Sequence, residues 1–247
     1  SICKIFNFIF PDILYNSTWK LNNVKFLKGV VLVPKINEDE QEQIRELFEG
    51  KMQEEVYIQF FTADEDCQYC EDTEEILDEL NNLSDKINLE KNDLGNGKTE
   101  EYGIDRVPAI LFTDEEGNDS GVHFYGIPSG HEFNTLIEGI VSMSNGETEL
   151  SEDIIEELKN IEDEVLLQVF ITPTCPYCPK AVKVAHEMAM HNPNIKGEMV
   201  EAIEFPDLSS KFDVSGVPKT VINSGAEEQV GAVPAKTILD KIKTSIQ

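Results

Sequence analysis

"LLQVFITPTCPYCPKAVKVAHEMAM", residues 166–190, is the stretch on which the reading of the fold turns. It opens with an apolar run rich in β-branched and aromatic residues, the pattern of a strand. A short turn follows, and then Cys175 and Cys178, two residues apart and fenced by prolines. Beyond them Ala181, Val182, Ala185, Met188 and Ala189 recur at helical spacing. The thiols therefore sit where a strand turns into a helix. Taken alone, Cys-x-x-Cys is shared by zinc sites, disulfide frameworks and redox catalysts, so the rest of the chain has to decide among them.

The chain says the same thing a second time. "VYIQFFTADEDCQYC", residues 56–70, is again a strand-like run ending in a cysteine pair, Cys67 and Cys70, with Ile76, Leu77, Leu80 and Leu83 at helical spacing after it. Farther on, "INLEKND" (87–93) and "GEMVEAIEF" (197–205) read as second strands, each followed by a short polar helix. "IDRVPAILFT" and "VSGVPKTVIN" then each place a Val-Pro at the start of an apolar strand. From Cys67 to Pro108 is 41 positions and from Cys175 to Pro218 is 43, an agreement that marks a duplication. Each copy ends in a hairpin and a closing helix, with apolar faces at Phe133, Leu136, Ile137 and Ile140 and at Ile238, Leu239 and Ile242. Between the copies, "SNGETELSEDIIEELKN" runs from turn residues into a helix with Ser151 at its N-cap. The organisation expected is an α/β chain with an N-terminal extension over residues 1–36, a first unit over 37–147 and a second over 148–247.

Composition narrows the function. With 48 acidic and 20 basic side chains the formal net charge is −28, which argues against phosphate backbones and anionic membranes as partners. No stretch supplies the roughly 18 to 20 apolar residues that cross a bilayer; the nearest approach, residues 5–14, is broken by Asn7, Pro11 and Asp12. No small-residue cleavage site follows it closely, and a cytoplasmic location is expected. The five cysteines, Cys3 and the two pairs, are too sparse for a disulfide-dense secreted scaffold. Between Cys70 and Cys175 lie 104 residues, whereas zinc ribbons separate their pairs by about 15 to 20, so no metal is expected. His123, His131, His186 and His191 read as surface or packing residues.

A helix N-terminus presents free N–H groups and a partial positive charge, so a thiolate is stabilised there. Cys67 and Cys175 are then the nucleophiles, and Cys70 and Cys178, one turn inside each helix, resolve the mixed disulfide. A proline at a strand start gives no ladder donor and admits a cis bond; Val107-Pro108 and Val217-Pro218 are expected to be cis and to present backbone to a substrate strand. Asp64, Glu65, Asp66, Glu71 and Asp72 crowd Cys67 and should raise its pKa. Cys175 has Thr174, Pro176 and Lys180 beside it, and should be the more reactive.

Strand, CxxC on a helix, second strand, Val-Pro strand, hairpin and helix together resemble the thioredoxin-like pattern. Two tandem copies, with "CQYC", "TPTCPYCPKAV", "IDRVPA", "FYGIPSGHEF", "GEMVEAIEFP" and "VPKTVI", resemble the protein disulfide oxidoreductases of archaea and some bacteria over about residues 37–247. The resemblance implies two thioredoxin-like domains, each a central mixed β-sheet flanked by helices. It implies dithiol–disulfide exchange on protein substrates, with redox-active disulfides and no other cofactor, and an NADPH-dependent thioredoxin reductase as electron donor. Residues 1–36, including Trp19, have no counterpart in that pattern. Where thioredoxin carries a buried carboxylate, the strands here offer Gln59 and Gln168, so Glu201 or Glu204 on a neighbouring strand is the expected proton acceptor. Two other readings stay open: an electron relay resembling the tandem segment of peroxide-reductase flavoproteins, and a non-catalytic peptide-binding module with structural disulfides.

Overall fold

The computed structural model describes residues 25–27, 30–32 and 35–247. The chain divides at residue 34 into two units. In the first, β1 (Lys25–Leu27) pairs antiparallel with β2 (Val30–Leu32). Most of the extension expected over 1–36, Cys3 and Trp19 included, lies outside the described residues.

The second unit, 35–247, is built on one eight-stranded sheet of order β10-β9-β7-β8-β6-β5-β3-β4. The first repeat supplies β3 (Val56–Thr62), β4 (Ile87–Asp93), β5 (Ala109–Thr113) and β6 (Asp119–Tyr125); the second supplies β7 (Val165–Ile171), β8 (Ile195–Glu201), β9 (Lys219–Ile222) and β10 (Glu227–Val230). The order within each repeat is the same, so the duplication legible in the sequence appears as a sheet laid down twice, side by side. The join is the parallel pairing of β6 with β8, from Val122 opposite Gly197 to Tyr125 opposite Val200.

Strand directions follow from the ladders. β3, β4, β6, β7 and β8 all run one way, while β5 and β9 run back. The C-terminal ends of β3 and β7, which lead into the cysteines, therefore share one edge of the sheet with the starts of β5 and β9, which follow the prolines. Four strand steps separate β7 from β3, roughly 19 Å at about 4.8 Å a step.

Six helices cover one face: α1 (Glu38–Lys51), α2 (Cys70–Asn81), α4 (His131–Asn145), α5 (Glu152–Lys159), α6 (Cys178–His191) and α8 (Ala235–Ser245). All bury apolar residues in one continuous core, including Phe48, Leu77, Leu136, Leu158, Val182 and Leu239, against Phe60, Phe124 and Val169 from the strands. The predicted helical faces at 76/77/80 and 181/182/185/188/189 are the buried ones. Truncating one such leucine to alanine costs about 2 to 5 kcal/mol. Among the described residues the other face carries two six-residue helices, α3 (Gly97–Tyr102) and α7 (Pro206–Lys211), each over its own small apolar cluster. α1 is closed by a reciprocal capping box between Asn37 and Glu40. Ser151 stands at the N-cap of α5 as the sequence suggests, yet its side chain makes no capping hydrogen bond.

The seam between the repeats is fastened from the helical side by His186. This α6 residue is buried, and its Nε2 lies 3.0 Å from the His123 carbonyl on β6, so that nitrogen carries the proton and donates. Gly121 has φ +77°, and a Cβ there would meet the Ile195 carbonyl at 2.4 Å; the close approach of β6 to β8 requires glycine. Burial pushes the His186 imidazole down to about 3. Its folded value lies below its unfolded value of about 6.5, so the unfolded chain binds the proton first and stability is lost as pH falls from about 6.5 toward 3. The stability advantage of the wild type over His186→Gln should thus shrink by on the order of 2 kcal/mol between pH 7 and pH 5, read from urea unfolding of both proteins at each pH.

Candidate active site

Two disulfides, Cys67–Cys70 and Cys175–Cys178, each with Cα atoms 5.5 Å apart, sit at the C-terminal ends of β3 and β7. The helices begin later than the sequence reading placed them. α2 starts at Cys70 and α6 at Cys178, so the second cysteine of each pair is the first helical residue and the first lies in the turn before it. At the second site Pro176 disfavours the helical region for Cys175, the residue before it. At the first site Asp66, just before Cys67, holds a left-handed φ of +58°, so no helix extends back through it. Neither N-cap residue, Tyr69 or Tyr177, makes a side-chain capping hydrogen bond. The first-turn N–H groups therefore have no side-chain oxygen competing with a sulfur anion.

Within each pair the first cysteine is the more exposed residue. Cys67 is half-buried and Cys70 buried; Cys175 is 9% exposed and Cys178 fully buried. Val107-Pro108 and Val217-Pro218 are both cis, and both open strands that start on the disulfide edge. Val217 packs on the core that contains Cys175 and Cys178.

The glutamines are buried and paired alike in both repeats. Gln59 Nε2 donates to Glu90 at 3.1 Å, and Gln168 Nε2 donates to Glu198 at 2.8 Å. Glu90, on the edge strand, is held low by Lys98, whereas burial pushes Glu198 up in the middle of the sheet. The carboxyls expected to serve the second thiol both accept backbone hydrogen bonds, while Glu201 Oε1 is left buried with no partner. Glu201 closes its own turn, accepting the Ile203 and Glu204 N–H groups at 2.9 and 2.6 Å, and Glu204 accepts the Ile127 N–H at 2.7 Å across the seam. Burial raises both, Glu204 to about 7.

A carboxyl the sequence reading did not single out sits at the start of a helix that abuts the second loop. α4, the closing helix of the first repeat, packs along α6 of the second. Its entry abuts the residues just before Cys175: the His131 N–H donates to the Pro173 carbonyl at 3.0 Å. Gly130 has φ +60°, and a Cβ there would meet that carbonyl at 2.3 Å, so only glycine permits the contact. The next residue but one, Glu132, is fully buried with no hydrogen-bond partner on either carboxylate oxygen. Burial pushes its carboxyl up to about 7. Its signal in the sequence was position: Glu132 precedes Leu136 by four residues, on the buried stripe of the helix.

Among the described residues no group of three or more His, Cys, Asp or Glu is arranged to hold a metal ion, and no helix is long and apolar enough to cross a membrane. The four histidines do not converge. Besides His186, His123 pairs with Asp119 at 2.7 Å and His191 with Thr148 at 2.7 Å, and His131 is exposed at the start of α4.

Paired cysteines at strand-to-helix turns, duplicated on one sheet, define a thioredoxin-fold thiol–disulfide oxidoreductase. A model of the thioredoxin domain matches residues 165–244. The crystal structure of a protein disulfide oxidoreductase from Aeropyrum pernix is 32% identical, with a TM-score of 0.78 over 85% of this chain and 94% of that one. The structure of the alkylhydroperoxide reductase component AhpF of Enterococcus faecalis is 27% identical, with a TM-score of 0.76 over 83% of this chain and 98% of that chain. The corresponding F component of the Staphylococcus aureus alkyl hydroperoxide reductase is 29% identical over 84% of this chain. The chain spans about two fifths of the length of that curated relative, 38%. The chain belongs to the protein disulfide oxidoreductase family, with two thioredoxin-like repeats in tandem.

A buried acid with a raised pKa disfavours the folded state increasingly as pH rises from its unfolded value of about 4.5 toward 7. Replacing Glu132 by Gln should stabilise the protein at pH 8 by on the order of 1 to 3 kcal/mol, with little change at pH 4. Urea midpoints at the two pH values measure it, and equal shifts at both would exclude a buried neutral acid.

Proposed function

We propose that the chain catalyses dithiol–disulfide exchange on protein substrates through both sites, as two functional units over residues 37–147 and 148–247. The observation that carries this reading is the exposure order within each pair, Cys67 over Cys70 and Cys175 over Cys178. The outer thiolate attacks a substrate disulfide, forms a mixed disulfide and expels one substrate thiolate. The inner thiol, one turn away, attacks the outer sulfur, closes the intramolecular disulfide and releases the second substrate thiolate. Run in reverse, the same steps oxidise a substrate dithiol. Val107, Pro108, Val217 and Pro218 supply the backbone against which a substrate segment lies.

The second site leads. On this reading Glu132, at the start of the helix whose His131 N–H bonds the Pro173 carbonyl, serves the resolving step: its pKa of about 7 suits it to exchange a proton with a thiol near neutrality. The thiolate at Cys67 forms beside carboxylates on its own loop, which disfavour a second anion. The electron donor on this reading is an NADPH-dependent thioredoxin reductase, and the setting is a reducing, cytoplasmic one. The likeness to the F component of alkyl hydroperoxide reductases supports a second reading, in which the chain relays electrons to a dedicated peroxide-reducing partner.

Dithiothreitol-driven reduction of insulin, followed as turbidity, separates these readings. Wild type should be active, Cys175→Ser should lose most of that activity, about tenfold or more, and Cys67→Ser should keep the larger part. With all four cysteines in place, Glu132→Gln should slow turnover by about 10- to 100-fold and flatten its rise through pH 7. Activity no greater than buffer would move the assignment to the relay.

A further inference from the structure

The two disulfides share an edge, a turn geometry and a cis-proline neighbour, yet the side chains around them differ in kind. On the loop that carries Cys67, Asp64, Glu65 and Asp66 are exposed, and Glu71 is exposed just past Cys70. None of these four forms an ion pair among the described residues. The cations nearby are already matched to other carboxylates. Lys35 holds Asp72 at 2.5 Å and Glu75 at 3.3 Å, and Arg106, beside the Val107-Pro108 bond, is held by both oxygens of Asp105 at 2.7 Å. The rim of the first site is thus a half-open disulfide among four uncompensated negative charges.

The rim of the second site is apolar and carries a cation. Tyr177, between its cysteines, is 70% exposed, and Ile203, just past the end of the adjacent strand, is 71% exposed. Lys180 is exposed and forms no ion pair among the described residues, and the loop before Pro218 offers Ser215 and Gly216 where the first site has Asp105 and Arg106. Glu132 and Glu201 are covered and Glu204 half-covered, all three with raised pKa values, so they project little charge outward; Asp213, farther back on the loop before Pro218, is the single exposed acid there.

We propose that the two sites divide substrates by charge: Cys67–Cys70 selects disulfides flanked by cationic groups, such as cystines among lysines and arginines, while Cys175–Cys178 is indifferent to flanking charge or mildly favours anions. The proposal rests on the reading of both pairs as exchange sites. Charges of one sign around a reacting atom raise the encounter rate of an oppositely charged partner by about 10- to 1000-fold at low salt, and salt removes the effect. In each exchange the protein dithiol is oxidised to its disulfide, the reagent disulfide is reduced to two thiols, and the two thiol protons pass to the departing thiolates.

The test uses two full-length proteins: Cys175→Ser/Cys178→Ser, which keeps the first site, and Cys67→Ser/Cys70→Ser, which keeps the second. Each is pre-reduced, freed of reductant and mixed with cystamine, which is dicationic, with 3,3′-dithiodipropionate, which is dianionic, and with neutral hydroxyethyl disulfide. The quantity read is the cystamine-to-dithiodipropionate rate ratio at the first site divided by the same ratio at the second, which cancels the intrinsic reactivity of the reagents. It should be about 10 or more at roughly 10 mM salt and fall toward 1 at about 1 M, where the screening length is about 3 Å. In the first-site protein, Asp64→Lys with Glu65→Lys should lower its rate ratio at least tenfold. A double ratio near 1 at low salt, or one that salt does not move, would overturn the charge division while leaving exchange intact. Failure of either protein to react with the neutral reagent would instead overturn the exchange reading and this proposal with it.

Discussion

The parallel pairing of β6 with β8 is the constraint from which the rest of the molecule follows. Each repeat brings four strands, and a repeat with an unpaired edge exposes a row of backbone donors and acceptors. Joining the last strand of one repeat to the second strand of the next removes two edges at once. Because the joint is parallel, the second repeat is a lateral copy of the first, so both cysteine pairs open on the same side. An antiparallel joint would have sent them to opposite edges. The joint also fixes the helices in one row, and this brings α4 of one repeat against α6 of the other.

That neighbour relation makes the second site a product of both repeats. The strand, the turn and the helix dipole belong to residues 165–191, but the buried acid comes from α4, forty-three positions before Cys175 in the chain. Its carboxyl is pushed toward the neutral form by burial, which outweighs the opposing influence of the Thr135 hydroxyl. A buried acid of that kind costs stability, and such costs concentrate where proton transfer is needed.

Much of this was legible in the sequence, because the signals were local. An apolar run, two thiols at a three-residue offset and a helical apolar stripe are all set within about 25 residues of Cys175, and the repeat of that pattern at Cys67 gave the tandem architecture. The prolines at 108 and 218 were readable for the same reason. What escaped was non-local or depended on single dihedrals. Glu132 belongs to a helix assigned to the other repeat, and only the sheet joint carries it to Pro173. The helix starts slipped from Cys67 and Cys175 to Cys70 and Cys178, less than one turn, a difference that apolar periodicity does not register. His186 looked like a packing residue and is one, but its role in fastening the two repeats needs the register of β6 against α6.

Duplication supplies two copies of a chemistry, and position in the sheet then makes them different. The β7 site lies farther from an end of the sheet, with β6 beyond β8, and the helix from the neighbouring repeat abuts its loop, where Cys175 and Cys178 are both buried. The β3 site stands one strand from the end of the sheet, beside β4, and its helix is met by the Lys35 and Ile36 backbone N–H groups bonded to Glu79 rather than by a second closing helix. Both loops nonetheless present exposed residues, Asp64, Glu65 and Asp66 on one and Thr174, Pro176 and Tyr177 on the other, so solvent would screen a charge on either. The carboxylates around Cys67 and their absence at Cys175 are therefore written in each loop's own residues, while the order of strands sets how deeply each cysteine pair is buried.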